Sequence, residues 1–171
     1  MKKELTRRSF LKLAGVGTLA VAMSGSLTGC DVIDNLKDMD SVSAAIGDVK
    51  FMLSASAWVN NGSNGISYQP TCEIRNNSKK AVTYGGSGSN CEVIITGVLT
   101  DKNGKEYQMT YAGENGSAPA GEKYEVKDFK LVAVGKGLYM EGSKVVTTFT
   151  YNGRKAVFTE YNDGNITSKV E

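Results

Sequence analysis

The sequence predicts an all-β fold, an antiparallel β-sandwich of seven or eight short strands. Hydrophobic and polar residues alternate with a period of two through most of the chain after Asp48, which is the pattern of half-buried strands. Two dipeptides, Asn103-Gly104 and Asn152-Gly153, separate such runs, and Asn-Gly tolerates the positive φ angles of tight hairpin turns. Two packed sheets would bury the hydrophobic faces of these strands, and an open barrel is the alternative.

The predicted strands follow one another between turns rich in Gly, Asn and Ser. In the first strand, the odd-numbered residues from Val49 to Val59 form the apolar face, and Ser56 and Trp58 lie on the other. Pro70 in the second indicates an edge strand or a bulge. The strands are expected at 49–59, 66–75, 81–84, 91–100, 105–111, 124–134, 144–151 and 154–161.

These strands define a β-sandwich domain at residues 49–161, followed by a polar C-terminal tail at 162–171. Residues 30–48, which precede the domain, are polar and carry five aspartates. We interpret them as an acidic tether. A short helix can form within it, because Ile33, Leu36 and Met39 recur at helical spacing.

The first 29 residues have the three regions of a secretory signal peptide. Five basic residues within the first twelve precede a mildly apolar run, Leu13–Met23, and small residues follow it. A transmembrane helix needs about 20 apolar residues, whereas this run has eleven. The sequence therefore assigns residues 1–29 to a signal peptide, which is excluded from the fold.

Two motifs in this region resemble the address signals of bacterial lipoproteins. The segment with the paired arginines reads Thr6-Arg7-Arg8-Ser9-Phe10-Leu11-Lys12 and resembles a twin-arginine export signal centred on Arg7 and Arg8. The segment Leu27-Thr28-Gly29-Cys30 resembles a lipobox, the site at which lipoproteins are cut and acylated. The resemblance implies export of an already folded protein and a mature chain that begins at a diacylglyceryl-modified Cys30. It implies a lipid-anchored protein on the extracytoplasmic face of the cell membrane.

The charge and composition of the chain exclude several classes of function. Met1–Gly29 holds five basic residues and one acidic residue, which leaves 15 basic and 17 acidic residues in Cys30–Glu171. A nucleic-acid-binding surface needs a basic patch, so no nucleic acid partner is expected. The chain has no histidine, which removes the commonest general base and the usual zinc ligand. The sequence predicts no cofactor and no metal.

Acidic side chains remain as candidates for metal binding or catalysis. Asp101, Asn103 and Glu106 offer oxygen atoms to a cation, but an EF-hand loop has more donors, so a hairpin turn with solvated charges is favoured. A carboxylate-dependent enzyme would need two acidic groups brought together, and the alternation places most of them on outward-facing positions or in loops. These candidates are Glu92, Glu106, Glu122, Glu125 and Asp128.

Two cysteines remain in the mature chain, Cys72 and Cys91. In an oxidising compartment a disulfide bond between them is the expected state, and it would stabilise the fold by about 3 kcal/mol. Two buried free thiols are the alternative. The pair lacks the CxxC spacing of a redox motif, so a redox function is not expected.

The order of elements resembles the immunoglobulin-like domains of small bacterial lipoproteins. An extended strand, the turn Asn76-Asn77-Ser78, a long hairpin and the loop Pro119-Ala120-Gly121-Glu122 before a strand carry this resemblance, which covers residues 49–161. The chain departs from antibody-type domains, because Cys72 and Cys91 are too close in sequence for the inter-sheet pair and Trp58 precedes both. The resemblance implies a fold and no functional residue.

The sequence thus predicts a lipid-anchored module that binds a protein or another ligand in the cell envelope. Three glycine-rich loops are the expected contact sites: Asn60–Gly65, Gly85–Asn90 and Ala112–Gly121, since loops on a rigid scaffold commonly carry recognition. The eight tyrosines and Trp58 could line such a site or fill the core. The alternatives are an accessory subunit co-exported with a folded twin-arginine-dependent oxidoreductase and a carboxylate enzyme.

Overall fold

A computed structural model describes residues 41–62, 65–135 and 138–171 of the chain. The predicted signal residues Arg7 and Arg8, the predicted lipidation site Cys30 and most of the predicted tether lie outside these residues. Within the described ranges, no helix has the length and apolarity needed to cross a membrane.

The described residues form twelve β-strands that hydrogen bonds join into one sheet. The pairing of β4 with β5 is parallel, and the other pairings are antiparallel. The strands are β1 (Val42–Ile46), β2 (Val49–Asn60), β3 (Ile66–Asn76), β4 (Val82–Gly86), β5 (Val93–Thr100), β6 (Glu106–Tyr111), β7 (Gly116–Ala118), β8 (Glu122–Val126), β9 (Leu131–Ala133), β10 (Lys144–Tyr151), β11 (Arg154–Tyr161) and β12 (Ile166–Val170).

The sheet curls until its two outermost strands meet. The strand order is β1-β2-β3-β9-β6-β5-β10-β11-β12, and the Ser168 hydroxyl of β12 donates a hydrogen bond of 2.9 Å to the Ser43 carbonyl oxygen of β1. β8 pairs with the part of β3 that β9 leaves free. In the same way, β4 pairs with the part of β5 that β6 leaves free. The all-β prediction is confirmed, and the continuous, nearly barrel-like sheet is closer to the open-barrel alternative than to two separate sheets.

The strand count exceeds the predicted seven or eight because three short strands fall where the sequence pattern is weak. β1 lies at the end of the predicted tether 30–48, β12 lies in the predicted tail 162–171, and β7 lies in the predicted loop Ala112–Gly121. The predicted strand at 124–134 is divided into β8 and β9. The β domain therefore extends beyond the predicted boundaries at residues 49 and 161.

A bulge in β2 changes which of its side chains face the core. The register with β3 shifts between Ser54 and Ser56, and a bulge inserts one extra residue that reverses the alternation of faces. Leu53 is buried before the bulge, whereas Val59 is 41% exposed after it. The prediction of one apolar face from Val49 to Val59 is therefore wrong beyond the bulge, where Trp58 packs against the core instead.

An aromatic cluster occupies the centre of the core. The Phe149 ring stacks on Phe51 with 4.8 Å between centroids, and it also contacts the rings of Phe158 and Phe129 at 5.6 Å and 6.0 Å. These four side chains come from β2, β10, β11 and the segment between β8 and β9. The cluster therefore joins strands that are distant in the sequence.

The strand directions place the turns at two ends of the sheet. The apical end is the end of the sheet at which the following first or last strand residues lie: Asn60, Ile66, Thr100, Ala133, Lys144 and Tyr161. The basal end is the opposite side, and it contains the turns Gly47-Asp48, Asn77–Ala81 and Asn152-Gly153.

Candidate functional site

A buried carboxylate joins three strands near the apical end. Glu160 of β11 is 3% exposed, although Glu side chains are rarely buried unless they have partners. Its partners are Ser56 and Trp58 of β2 and Tyr68 of β3. We refer to these four residues as the Glu160 cluster.

Every hydrogen bond within the Glu160 cluster ends on the carboxylate. The Tyr68 hydroxyl donates to Glu160 Oε2 at 2.6 Å. Glu160 Oε1 accepts from the Ser56 hydroxyl and, at 3.5 Å, from the Trp58 indole nitrogen. The Trp58 and Tyr68 rings meet edge to face, with 5.4 Å between their centroids. The donors thus converge on one acceptor group, as a buried carboxylate requires.

The cluster fixes Tyr68 as a hydrogen-bond donor. Burial, and then the neighbouring charge and hydrogen bond of Glu160, raise the pKa of the Tyr68 hydroxyl far above its ordinary value. The phenol therefore keeps its proton at any physiological pH and cannot act as a phenolate nucleophile. The arrangement supports a clamp between strands better than a catalytic pair.

Sequence reasoning did not single out Glu160, although a signal was present. Ala156 and Phe158 are buried, and Glu160 continues their period of two on the same face of β11. Because β-strand side chains at i, i+2 and i+4 share a face, an acidic residue at the third position predicts a buried carboxylate. The sequence pattern did not indicate its donors Ser56 and Trp58, because the bulge in β2 reverses the faces on which they lie.

The large hydrophobic side chains that remain exposed gather at the apical end. Among the described residues, four large hydrophobic side chains are exposed, and we call them the apical surface: Val59 (41%), Val134 (76%), Tyr139 (60%) and Tyr161 (45%). Val59 and Tyr161 lie at the apical ends of β2 and β11, and Val134 directly follows β9. These exposed side chains therefore share one end of the sheet.

Several contacts hold the turns that carry the apical surface. A Cβ atom on Gly65, whose φ is +108°, would lie 1.9 Å from the Ala133 carbonyl oxygen, so the β2–β3 turn packs directly on the end of β9. The Lys102 ammonium lies 5.4 Å from the centroid of the Tyr139 ring. The Ser143 hydroxyl donates to the Tyr139 carbonyl oxygen at 2.6 Å. The exposed side chains therefore project from anchored backbone.

The three predicted contact loops do not converge on one site. Asn60–Gly65 lies at the apical end, where Asn60 pairs with Ile66. Gly85–Asn90 and Ala112–Gly121 lie beside each other instead, because the Gly86 amide donates to the Asn115 side-chain oxygen at 3.3 Å. Their link supports a structural connection between β4 and the segment before β7.

Most of the tyrosines belong to the core. Tyr68, Tyr84, Tyr111 and Tyr151 are buried, and Tyr107, Tyr124 and Trp58 pack partly buried against the core. Tyr139 and Tyr161 remain exposed. Burial also raises the pKa of Tyr111 to about 12. Of the aromatic residues that the sequence offered for a binding site, the structure leaves these two at the surface.

The predicted acidic candidates are dispersed. Glu92, Glu106, Glu122, Glu125 and Asp128 are all exposed, and the described ranges contain no group of three or more Asp, Glu, Cys or His side chains that could hold a metal. Asp101 Oδ1 accepts hydrogen bonds from the backbone amides of Asn103 and Lys105 at 2.8 Å and 3.0 Å. This carboxylate stabilises the β5–β6 turn, as the hairpin interpretation expected.

The structure has Cys72 and Cys91 as free thiols, which corrects the predicted disulfide bond. Cys72 lies in the middle of β3 and is 0% exposed, whereas Cys91 precedes β5 and is partly exposed. β3 and β5 are not neighbours in the sheet. The pairing failed because a spacing of nineteen residues in the sequence does not fix the direction of either side chain.

Alkylation should therefore distinguish the two thiols. Iodoacetamide is expected to modify Cys91 in the native protein and Cys72 only after unfolding, since burial raises the pKa of the Cys72 thiol well above its usual range and only thiolates react. Peptide mass spectrometry before and after denaturation measures both sites. Equal labelling of Cys72 and Cys91 in the folded protein would contradict the structure.

Comparisons with known proteins identify no family. No family model matches the sequence, and no curated protein sequence matches it. The chain is similar to the X-ray structure of Northeast Structural Genomics Consortium target SoR45, with a TM-score of 0.39 and 13% identity over 74% of this chain and 84% of that one. It is also similar to the crystal structure of Bacteroides uniformis β-glucuronidase, with a TM-score of 0.36 and 13% identity over 62% of this chain and 12% of that one. Similarities at these scores carry no argument about function.

Proposed function

We propose that the protein is a lipid-anchored binding module of the cell envelope whose apical surface contacts a protein partner. The observation that carries the proposal is the concentration of Val59, Val134, Tyr139 and Tyr161 at one end of the sheet. Tyrosine is enriched in protein interfaces and is common among the few residues that supply most of the binding energy. The Glu160 cluster supports the surface from within, because it holds β2, β3 and β11 together.

The anchor in this proposal is the acylated Cys30, exported through the twin-arginine signal of Arg7 and Arg8. Eleven residues separate Cys30 from Val42, and an extended chain spans at most about 3.3–3.6 Å per residue. Val42 can therefore lie up to about 40 Å from the membrane surface. In this proposal the β domain acts, like the immunoglobulin-like domains of small bacterial lipoproteins, as a scaffold that presents its turns to a partner.

The test compares capture of the partner by the wild-type protein and by an apical variant. The partner is identified by cross-linking in intact cells and co-purification from detergent-solubilised membranes. Replacing Val134 and Tyr139 together by serine is expected to reduce capture at least tenfold, which corresponds to about 1.4 kcal/mol. Both side chains are more than half exposed, so the variant should unfold at the same urea concentration as the wild type.

The matched control replaces Lys79 and Ala120, two exposed residues away from the apical surface, by serine, and it should leave capture unchanged. A further arm replaces Cys30 by alanine, which should move the protein out of the membrane fraction. Recovery of an oxidoreductase as the partner would identify the protein as the co-exported accessory subunit. Unchanged capture by the folded apical variant would refute the proposed surface.

A further inference from the structure

A small cavity opens at the basal end, on the opposite side of the sheet from the apical surface. Its volume is about 290 Å³, close to the lower limit of small-molecule sites. Three turns surround it, and no sequence motif pointed to it. The cavity, which we call the basal cavity, is lined by Ile46, Gly47, Asp48, Ser78, Tyr151, Asn152 and Arg154.

The walls of the basal cavity are formed by turns that the fold holds in place. Asn76, which is 0% exposed, accepts a hydrogen bond of 3.0 Å from the Ser78 amide and donates its own side-chain amide to two carbonyl oxygens, those of Lys80 and Ala118. The Asn77 amide donates to the Asp48 carbonyl oxygen at 2.9 Å. This bond joins the β1–β2 turn to the turn after β3.

The third wall is the β10–β11 hairpin, and its conformation is also fixed. Asn152 has a φ of 50° and Gly153 a φ of 74°, which are the positive angles of a two-residue hairpin turn. This turn places Tyr151, Asn152 and Arg154 on the cavity lining. All three walls are thus preformed, which reduces the entropic cost of binding a ligand.

The lining combines an apolar floor with charges of opposite sign. Ile46 and Tyr151 are buried, whereas Asp48 and Arg154 are exposed. Neither charged side chain forms a salt bridge or a side-chain hydrogen bond with any residue that the structure describes. One carboxylate and one guanidinium are therefore available to a ligand at the same cavity, whereas the Ser78 hydroxyl already donates to the Asn76 side-chain oxygen and the Lys80 carbonyl oxygen.

We propose that the basal cavity binds a small zwitterion, an α-amino acid with an aliphatic side chain. The Arg154 guanidinium matches the planar geometry of a carboxylate and can donate two hydrogen bonds to it. The Asp48 carboxylate accepts from the ammonium group. The apolar floor of Ile46 and Tyr151 contacts the aliphatic side chain. Because the cavity is small, a free amino acid fits it better than a larger ligand.

This inference is independent of the apical surface and of the proposed protein partner. The charged residues of the basal cavity come from the β1–β2 turn and the start of β11, and none of them belongs to the apical surface. The domain would then carry a ligand site at one end and a partner site at the other. Failure of either proposal leaves the other unaffected.

Calorimetric titration of the purified mature protein with three related probes tests the inference. L-leucine carries both charges, L-leucinamide carries only the ammonium group, and N-acetyl-L-leucine carries only the carboxylate. L-leucine is expected to bind with saturable 1:1 stoichiometry, and each single-charge analogue is expected to bind at least tenfold more weakly. L-alanine should bind more weakly than L-leucine, because it buries less apolar surface against Ile46 and Tyr151.

Two substitutions locate the binding site. Arg154→Gln and Asp48→Asn should each weaken L-leucine binding at least tenfold, and circular dichroism should show an unchanged fold because both positions are exposed. The matched controls are Lys155→Gln and Glu106→Gln, which change the same charges at exposed residues outside the lining. Absence of binding by L-leucine, equal binding of N-acetyl-L-leucine, or unchanged binding by both cavity variants would each overturn the inference.

Discussion

Replacement of Glu160 by alanine is expected to lower the free energy of unfolding by about 3–5 kcal/mol. The substitution removes the shared acceptor of Ser56, Trp58 and Tyr68 and leaves these donors without their partner. A hydrogen bond to a charged group contributes about 1.5–3 kcal/mol, and a buried donor without a partner costs about 1–3 kcal/mol. Urea denaturation of the wild-type and variant proteins measures the difference.

Two conservative variants separate the loss of hydrogen bonds from the loss of volume. Glu160→Gln keeps one acceptor oxygen and the shape of the side chain, so it should destabilise the fold by less than Glu160→Ala. Tyr68→Phe removes the donor to Oε2, and combining it with Glu160→Ala should cost less than the sum of the two single changes, because they share one hydrogen bond. Additive effects, or a loss below about 1 kcal/mol for Glu160→Ala, would contradict a clamping role.

The cluster also gives the stability a dependence on pH. The pKa of Tyr68 is higher in the folded protein than in the unfolded chain, where tyrosine ionises near pH 10. As the pH rises, the Tyr68 hydroxyl therefore loses its proton in the unfolded chain before it does so in the folded protein. The contribution of Tyr68 to stability is fully present below about pH 10 and is lost at higher pH. The loss of stability above about pH 10 should be smaller in Tyr68→Phe, where the groups that remain with raised pKa values, among them Tyr111 and Cys72, keep their own contributions.

Replacement of Phe149 by alanine is the second change with a large expected effect, a loss of about 3–5 kcal/mol in the free energy of unfolding. Phe149 is 0% exposed, and its ring contacts those of Phe51, Phe158 and Phe129. The substitution removes apolar contacts and leaves a cavity between strands that cannot collapse independently. Urea denaturation measures this change as well.

The controls for Phe149 vary the size and the place of the substitution. Phe149→Leu retains most of the volume and should cost less than Phe149→Ala. Tyr161→Ala removes an aromatic ring of similar size from a side chain that is 45% exposed, and it should change the stability by at most about 1 kcal/mol. A similar loss for Phe149→Ala and Tyr161→Ala would show that the aromatic cluster is not the centre of the core.

The regular parts of the fold could be predicted because their signals are local. The alternation of polar and apolar residues gives most strands, and the two Asn-Gly turns occupy the predicted hairpins, with Gly104 and Gly153 at φ angles of 82° and 74°. The bulge between Ser54 and Ser56 has no comparable local signal. It depends on how β2 packs against β3, and one extra residue is enough to reverse the faces of Trp58 and Val59.

The candidate sites depend on contacts between distant residues, which alternation does not specify. Glu160 lies 104 positions from Ser56 in the sequence, and the basal cavity is assembled from three separate turns. The predicted disulfide failed for the same reason, because side-chain directions were needed in addition to spacing. The loop Asn60–Gly65 was correctly placed at an end of the strands, but the exposed residues Val134 and Tyr139 at the same end come from a segment without a distinctive pattern.

The meeting of β1 with β12 bears on how the protein tolerates crowding. An uncovered outer strand offers free amide and carbonyl groups, and these groups template the association of one chain with another. Here each outermost strand faces the other, and Ser168 bonds to Ser43 across the junction. With the proposed lipid anchor, copies of the protein on one membrane would meet at high local density. A neighbouring copy would have to open the contact between β1 and β12 before it could add a strand to either outer edge.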